Sequence, residues 1–186
     1  MEATDRGLIG RAQAGDESAF AAIASKLHPR FLQVSYRIVR DRHVAEDVSQ
    51  AALLRIWQKL PTIRDADRFD AWAYRVLVNA CYNEVRDQKR RRVEPLGRVD
   101  PIGPDELGII DERDRLERAF AELSIDQRAV IVLHFYGDMT LPEISRTLEV
   151  PLGTVNSRLG RGMSRLRAAL ASERPITYAA DGGTLA

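Results

Sequence analysis

The sequence predicts an all-α protein built as two small helical domains joined by an extended linker. Three observations predict it. Apolar residues recur at spacings of three and four in both halves, and nowhere does the chain alternate apolar and polar as a strand would. Helix-capping signals stand at Asp16, Ser124 and Thr140. Between the halves, residues 94–111 (EPLGRVDPIGPDELGIID) hold three prolines and three glycines, with no helical period and no aromatic side chain. That composition is a linker's.

Taken in order, Phe20, Ile23, Leu27, Phe31, Val34 and Ile38 form one face of a long first helix, with Asp16 as its cap. Pro29 lies inside this run and is expected to kink or split it. A second helix is expected over residues 44–60, ending before Pro61. Residues 61–68 read as a polar loop. A third helix starts near Phe69 and runs past Arg86 into a basic stretch, RDQKRRR. The first domain is thus expected over residues 1–93. After the linker, a domain over residues 112–171 begins with Leu116, Ala119 and Leu123 on one face. Ser124-Ile125-Asp126-Gln127 is a capping box, opening a helix that stops at Gly137. Thr140-Leu141-Pro142-Glu143 is a second, and its proline is tolerated in the first turn. Glu149-Val150-Pro151 separates that short helix from a last one over residues 152–171. Residues 172–186 read as a mobile tail.

Composition excludes several classes. No run of ~18 apolar residues exists to cross a membrane, and the acidic N-terminus lacks the apolar core of a secretory signal. The single cysteine, Cys81, permits no internal disulfide. His28, His43 and His134 form no spaced ligand set. No nucleotide loop or nucleophile–base set is visible, so no enzyme activity, metal or cofactor is expected. A reducing, cytoplasmic setting fits best. The 28 basic and 27 acidic residues give a net charge of +1, which on its face argues against a polyanion partner. The charge is sorted, however. Residues 86–92 carry five basic groups (Arg86, Lys89, Arg90, Arg91, Arg92) and one acid, and no acid lies between Pro151 and Ser172.

A short capped helix, a tight turn and a longer helix make a helix-turn-helix pattern. On the last helix Val155, Leu159, Met163, Leu166 and Leu170 share one side. Asn156, Ser157, Gly160, Arg161 and Ser164 share the other, with Arg158, Arg165 and Arg167 at its margins. Small polar residues let a helix enter the major groove, Asn and Arg read purine edges, and marginal arginines reach phosphates. A solvated surface helix is the alternative, but such a face usually mixes signs.

The second helix turns Ala45, Ala52, Ile56 and Leu60 inward, leaving Asp47, Gln50, Leu54 and Trp57 on another stripe. Exposed Trp and Leu beside polar groups suggest a protein-binding surface; equally, Trp57 can pack on a neighbouring helix. In the third helix Asn79, Asn83 and Arg86 form a polar row, with Tyr82 beside it. Amides, cations and an aromatic platform suit unpaired bases, while a satisfied core amide and a core tyrosine remain the plain alternative. Cys81 reads as a small buried hydrophobe.

The segments AEDVSQAALLRIWQKL, FDAWAYRVLVNACYNEVRDQKRR and LSIDQRAVIVLHFYGDMTLPEISRTLEVPLGTVNSRLGRGMSRLRAAL together resemble a bacterial extracytoplasmic function (ECF) sigma factor of the sigma-70 family. The first two are similar to sigma region 2 and the third to region 4. The resemblance implies an alternative sigma factor that binds core RNA polymerase, through its β′ and β subunits, and directs initiation at promoter DNA. It implies that Asp47, Gln50, Leu54 and Trp57 grip the polymerase. It places Arg64, Asn79, Tyr82, Asn83, Arg86, Lys89 and Arg90 at the melted −10 element. It places Thr154, Asn156, Ser157, Arg158, Gly160, Arg161 and Arg165 at the −35 element. An anti-sigma factor is a further implied partner. Asn156 and Gly160 depart from the family's commoner residues, so −35 preference should differ; Leu54 replaces a common Phe. A sigma-like adaptor that sequesters an anti-sigma factor without driving transcription is the competing expectation.

Overall fold

The computed structural model describes residues 4–91 and 109–172. Among the described residues there are eight α-helices, two 3₁₀ turns and no strand. The first domain holds α1 (Arg6–Gln13), α2 (Glu17–Val39), α3 (Arg42–Lys59) and α4 (Phe69–Arg91). The second holds α5 (Ile109–Ala121), α6 (Ile125–Phe135), α7 (Leu141–Leu148) and α8 (Leu152–Ser172). The helix α5 begins at Ile109, inside the stretch read from sequence as linker. Residues 94–108 of that stretch, and the tail beyond Ser172, lie outside the described residues.

The central element is α2. Asp16 caps it by accepting from the Ala19 N–H at 3.0 Å, and Ile23, Leu27, Phe31, Val34 and Ile38 are all buried. Pro29 does not split it: a single helix runs from Glu17 to Val39. Proline in a helix interior costs about 3 kcal/mol, but one continuous buried face lies on both sides of it. Burial of several large side chains, each about 1.5–3 kcal/mol, outweighs that cost. Where α2 crosses α3, the Ser35 and Ser49 hydroxyls, both fully buried, sit 2.8 Å apart. Ser35 also donates to the Phe31 carbonyl at 2.7 Å. Small hydroxyls with satisfied partners let the two backbones approach. Tyr74 of α4 closes the core edge-on to Phe31, with ring centroids 5.4 Å apart.

The short α1 has only Ile9 and Ala12 as buried residues, too few to make a visible period, and was not anticipated from sequence. Asp5 caps it. Its Gln13 amide donates to the carbonyls of Leu60 (3.2 Å) and Ile63 (2.7 Å), and Arg6 pairs with Asp67. Thus α1 braces the 61–68 loop that leads into α4.

In the second domain the capping box at Ser124 forms, with Ser124 and Gln127 each accepting from the other's backbone N–H. At Thr140, the backbone N–H and the hydroxyl both donate to the Glu143 carboxylate at 2.7 Å. These bonds hold the Glu143 carboxyl below its usual range. The helix α8 packs on α6 through Gly162, where an added Cβ would lie 2.8 Å from Ile131 Cδ1.

The two domains pack together along a seam of α2 with α6 and of α4 with α7. Arg128 of α6 donates to the Ile38 carbonyl at 2.9 Å, and burial together with nearby Arg40 pulls its pKa down. The Arg37 guanidinium lies over the Tyr136 ring, 3.7 Å from its centroid.

Candidate nucleic-acid interface

The helix-turn-helix is formed by α7, the turn at Glu149-Val150-Pro151, and α8. Glu149 takes a left-handed backbone (φ 54°) and its N–H donates to the Ser145 carbonyl. Ser145 Oγ donates to the Val150 carbonyl at 2.6 Å, which fixes the turn. The Pro151 carbonyl then accepts the Thr154 and Val155 N–H groups at 2.8 and 3.1 Å, starting α8. Inward, Val155 and Leu166 are buried, and Leu159, Met163 and Leu170 pack on the core as the spacing predicts. Outward, Asn156, Ser157, Gly160, Arg161, Ser164, Arg165 and Arg167 are exposed, and Thr154 is half-buried at the start of the helix. The predicted −35 face is therefore one contiguous surface of small polar and guanidinium groups. One member stands apart. Arg158 lies in an ion pair with Asp126 of α6 at 3.2 Å.

On α3, Ala45, Ala52 and Ile56 are buried, as is Leu60 in the turn that follows. Asp47 and Gln50 are exposed, and Leu54 is 57% exposed. Trp57 is half-buried against Phe20, with ring centroids 4.8 Å apart. Trp57 therefore packs within its own domain, at the border of the exposed stripe.

On α4, Asn79, Arg86, Lys89 and Arg90 are exposed and Asn83 is half-buried. Arg86 donates to the Asn83 side-chain oxygen at 3.0 Å, which joins two members of the polar row. Arg64, in the preceding loop, is exposed. Tyr82 differs from the expectation of an open stacking platform. It is half-buried at the seam, and burial followed by the charge of Asp126 pushes its phenol upward. Its hydroxyl makes no well-formed hydrogen bond. Cys81 is fully buried, and desolvation pushes its thiol up to about 12.

Three residues at this surface were not singled out from sequence: Gln13, Arg75 and Glu149. Arg75 of α4 pairs with Glu149 across the seam. Glu149 carried a signal, since it stands after a helix where glycine is usual. Gln13 and Arg75 carried none. Among the described residues no three His, Cys, Asp or Glu groups gather as a metal site. None of the described helices is long and apolar enough to cross a membrane.

Comparison with known proteins bears on this geometry. The description "Sigma-70 region 2" matches residues 23–91, and "Sigma-70, region 4" matches residues 113–166. The ECF RNA polymerase sigma factor SigL of Mycobacterium tuberculosis is 34% identical over 167 residues, covering 84% of this chain and 93% of that protein. This chain belongs to the ECF sigma factors. The ECF sigma factor SigW of Bacillus subtilis is 27% identical over 181 residues, covering 90% of this chain and 97% of that protein. The fold is shared with CnrH, solved in complex with the cytosolic domain of CnrY, at a TM-score of 0.70, covering 91% of this chain and 99% of that one at 24% identity. It is shared as well with the RpoE sigma factor of Bartonella quintana, solved with the anti-sigma factor NepR, at a TM-score of 0.70 and 24% identity, covering 83% of this chain and 98% of that one. Region 2 of this ECF sigma factor thus spans the later part of the first domain, from Ile23 through α4, and region 4 carries the helix-turn-helix.

Proposed function

We propose that this ECF sigma factor binds core RNA polymerase through the α3 stripe and directs it to promoters by reading a −35 element with α8 and capturing melted −10 bases at α4. The carrying observation is the outer face of α8, which is exposed, lacks acids and is rich in Arg and small polar residues. A major groove accepts such a helix. The α3 stripe adds support: a leucine more than half exposed, beside acid and amide groups, is the composition of a protein-docking patch. On α4, Asn79 and the Arg86–Asn83 pair offer amide and cationic groups to unpaired bases.

In this reading the protein works in the cytoplasm, performs no covalent chemistry and uses no cofactor. The β′ and β subunits of the polymerase are its partners, and an anti-sigma factor controls it. The similarly folded RpoE sigma factor of Bartonella quintana, solved with the anti-sigma factor NepR, supports that last point.

The test is run-off transcription with purified core polymerase on genomic templates, followed by mapping of start sites. Discrete transcripts absent with core alone, sharing −35 and −10 elements, are expected. Tight core binding without any promoter-dependent transcript would overturn the reading in favour of a sequestering adaptor.

A further inference from the structure

The 61–68 loop is held from outside by the first residues of the chain. Gln13 of α1 is half-buried, and its side-chain amide donates to the Leu60 and Ile63 carbonyls at 3.2 and 2.7 Å. An amide nitrogen carries two N–H groups, so both are spent on the loop. These carbonyls bracket the 3₁₀ turn Leu60–Thr62, and Ile63 is the residue before Arg64. Further along, Arg6 pairs with Asp67. At the start of α4, the Thr4 N–H and hydroxyl donate to the two Asp70 carboxylate oxygens at 3.0 and 2.5 Å. Thr4, Arg6 and Gln13 thus fix the loop at its entry, in its second 3₁₀ turn (Ala66–Arg68) and at its exit.

The clamp leaves Arg64 open. Asp65 accepts from the Asp67 N–H at 3.0 Å and pairs with Arg68 at 3.1 Å. Asp67 and Asp70 are taken by Arg6 and Thr4. The Thr62 hydroxyl donates to the Lys59 carbonyl at 2.7 Å. Arg64 is exposed and pairs with none of these acids. It is a guanidinium carried on a loop whose backbone is already fixed. A cation held this way meets a flexible, negatively charged strand at a lower entropic cost than one on an unbraced loop.

We propose that Gln13 is a positioning residue for the selection of a base in the melted −10 element. Through the Leu60 and Ile63 carbonyls it fixes the place at which Arg64 meets the unpaired strand. This deepens the sigma-factor reading above and rests on it. Selection of one base over another requires the reading group to be held within about 0.5 Å, and a loop gains that precision from the rigid element it is tied to. The tie is chemically specific. A side chain at this position without N–H donors releases both carbonyls. A lysine, whose ammonium brings donors on a flexible stem, takes them up again.

The test uses the full chain with core polymerase on promoter templates that carry each base in turn at every −10 position, read as abortive transcript per template. Arg64→Ala is expected to lose base preference several-fold at one position. Gln13→Ala is expected to lose it at the same position, and the double variant to be no worse than Arg64→Ala, because residues acting as one unit are not additive. Gln13→Lys restores the preference, whereas Gln13→Glu, with a carboxylate against two carbonyls, does not. Ile9→Val, in the buried face of α1, lowers the melting temperature and leaves the preference unchanged, which separates positioning from stability. An unchanged preference in Gln13→Ala, additive losses in the double variant, or a Gln13→Lys no better than Gln13→Ala would overturn the proposal. A second arm follows binding of a short single-stranded DNA to the free chain by anisotropy. There Gln13→Ala and Arg64→Ala each weaken binding, again without adding. A wild type silent on every template would sink the sigma reading; coupling in the single-strand arm would then still uphold the positioning of Arg64 by Gln13, and its absence would overturn it.

Discussion

The indole of Trp57 rests on the Phe20 ring, with centroids 4.8 Å apart and planes tilted by 42°. An aromatic on the proposed polymerase stripe is therefore braced from behind by α2, whereas Leu54, one turn away, projects with 57% of its surface open. This separates binding from folding along a single helix face.

Leu54→Ala should weaken core polymerase binding while leaving the melting temperature within experimental error. Trp57→Ala should lose both. Phe20→Ala should destabilise by about 2 kcal/mol, less than a fully buried phenylalanine, and weaken binding only through Trp57. Parallel thermal melts and core-affinity measurements check this. Equal stability losses at Leu54 and Trp57 would contradict it.

The two glycines of α8 should respond oppositely. A Cβ at Gly160 meets nothing within 4 Å, so Gly160→Ala should stabilise by about 0.5–1 kcal/mol through helix propensity. At Gly162 a Cβ would press on Ile131 Cδ1 at 2.8 Å and Gln127 Cβ at 3.3 Å. Overpacking of about 1–3 kcal/mol should cancel that gain and leave a net loss of about 1 kcal/mol. Denaturant midpoints of the two variants decide the matter.

Cys81 should be inert to thiol reagents in the folded chain. Its thiol is fully buried and pushed up to about 12 by desolvation, so almost no thiolate is present at neutral pH. Labelling with a disulfide reagent should follow the unfolding transition in denaturant. Rapid labelling in native buffer would show that α4 opens locally.

Acid should weaken the helix starts. The Asp16 carboxyl is held far below its usual range by hydrogen bonds from Ser18, the Ala19 N–H and Arg11, and Glu143 is lowered by Thr140. A carboxyl with a lowered folded pKa contributes stability above its unfolded pKa, about 4, and loses it as pH falls through the folded value. Stability should therefore begin to fall below about pH 4. The gap between wild type and Asp16→Ala should narrow over the same range. A gap independent of pH would show that the cap acts without its charge.

Much of the fold was legible because its determinants are local. Asp16, Ser124 and Thr140 open α2, α6 and α7 where capping chemistry says they should. The 3.6-residue period of Val155, Leu159, Met163, Leu166 and Leu170 set which face of α8 turns inward, and so which face is left exposed. Of the kink or split expected at Pro29, the split did not occur, because a local penalty was outweighed by burial on both sides of it. The α1 helix was too short to show a period, though it holds the 61–68 loop through Gln13.

By itself, the sequence determined the helical class, the order of the two sigma regions and the polar face of α8, since caps, periodicity and charge runs act over a few residues. Only the tertiary structure decided that Tyr82 and Arg158 lie at the same Asp126, that Gly162 is a close approach of α8 to α6, and that Arg75 pairs with Glu149. Those relations join residues far apart in the chain. They depend on where long side chains end after the helices have packed, which no spacing along the sequence records.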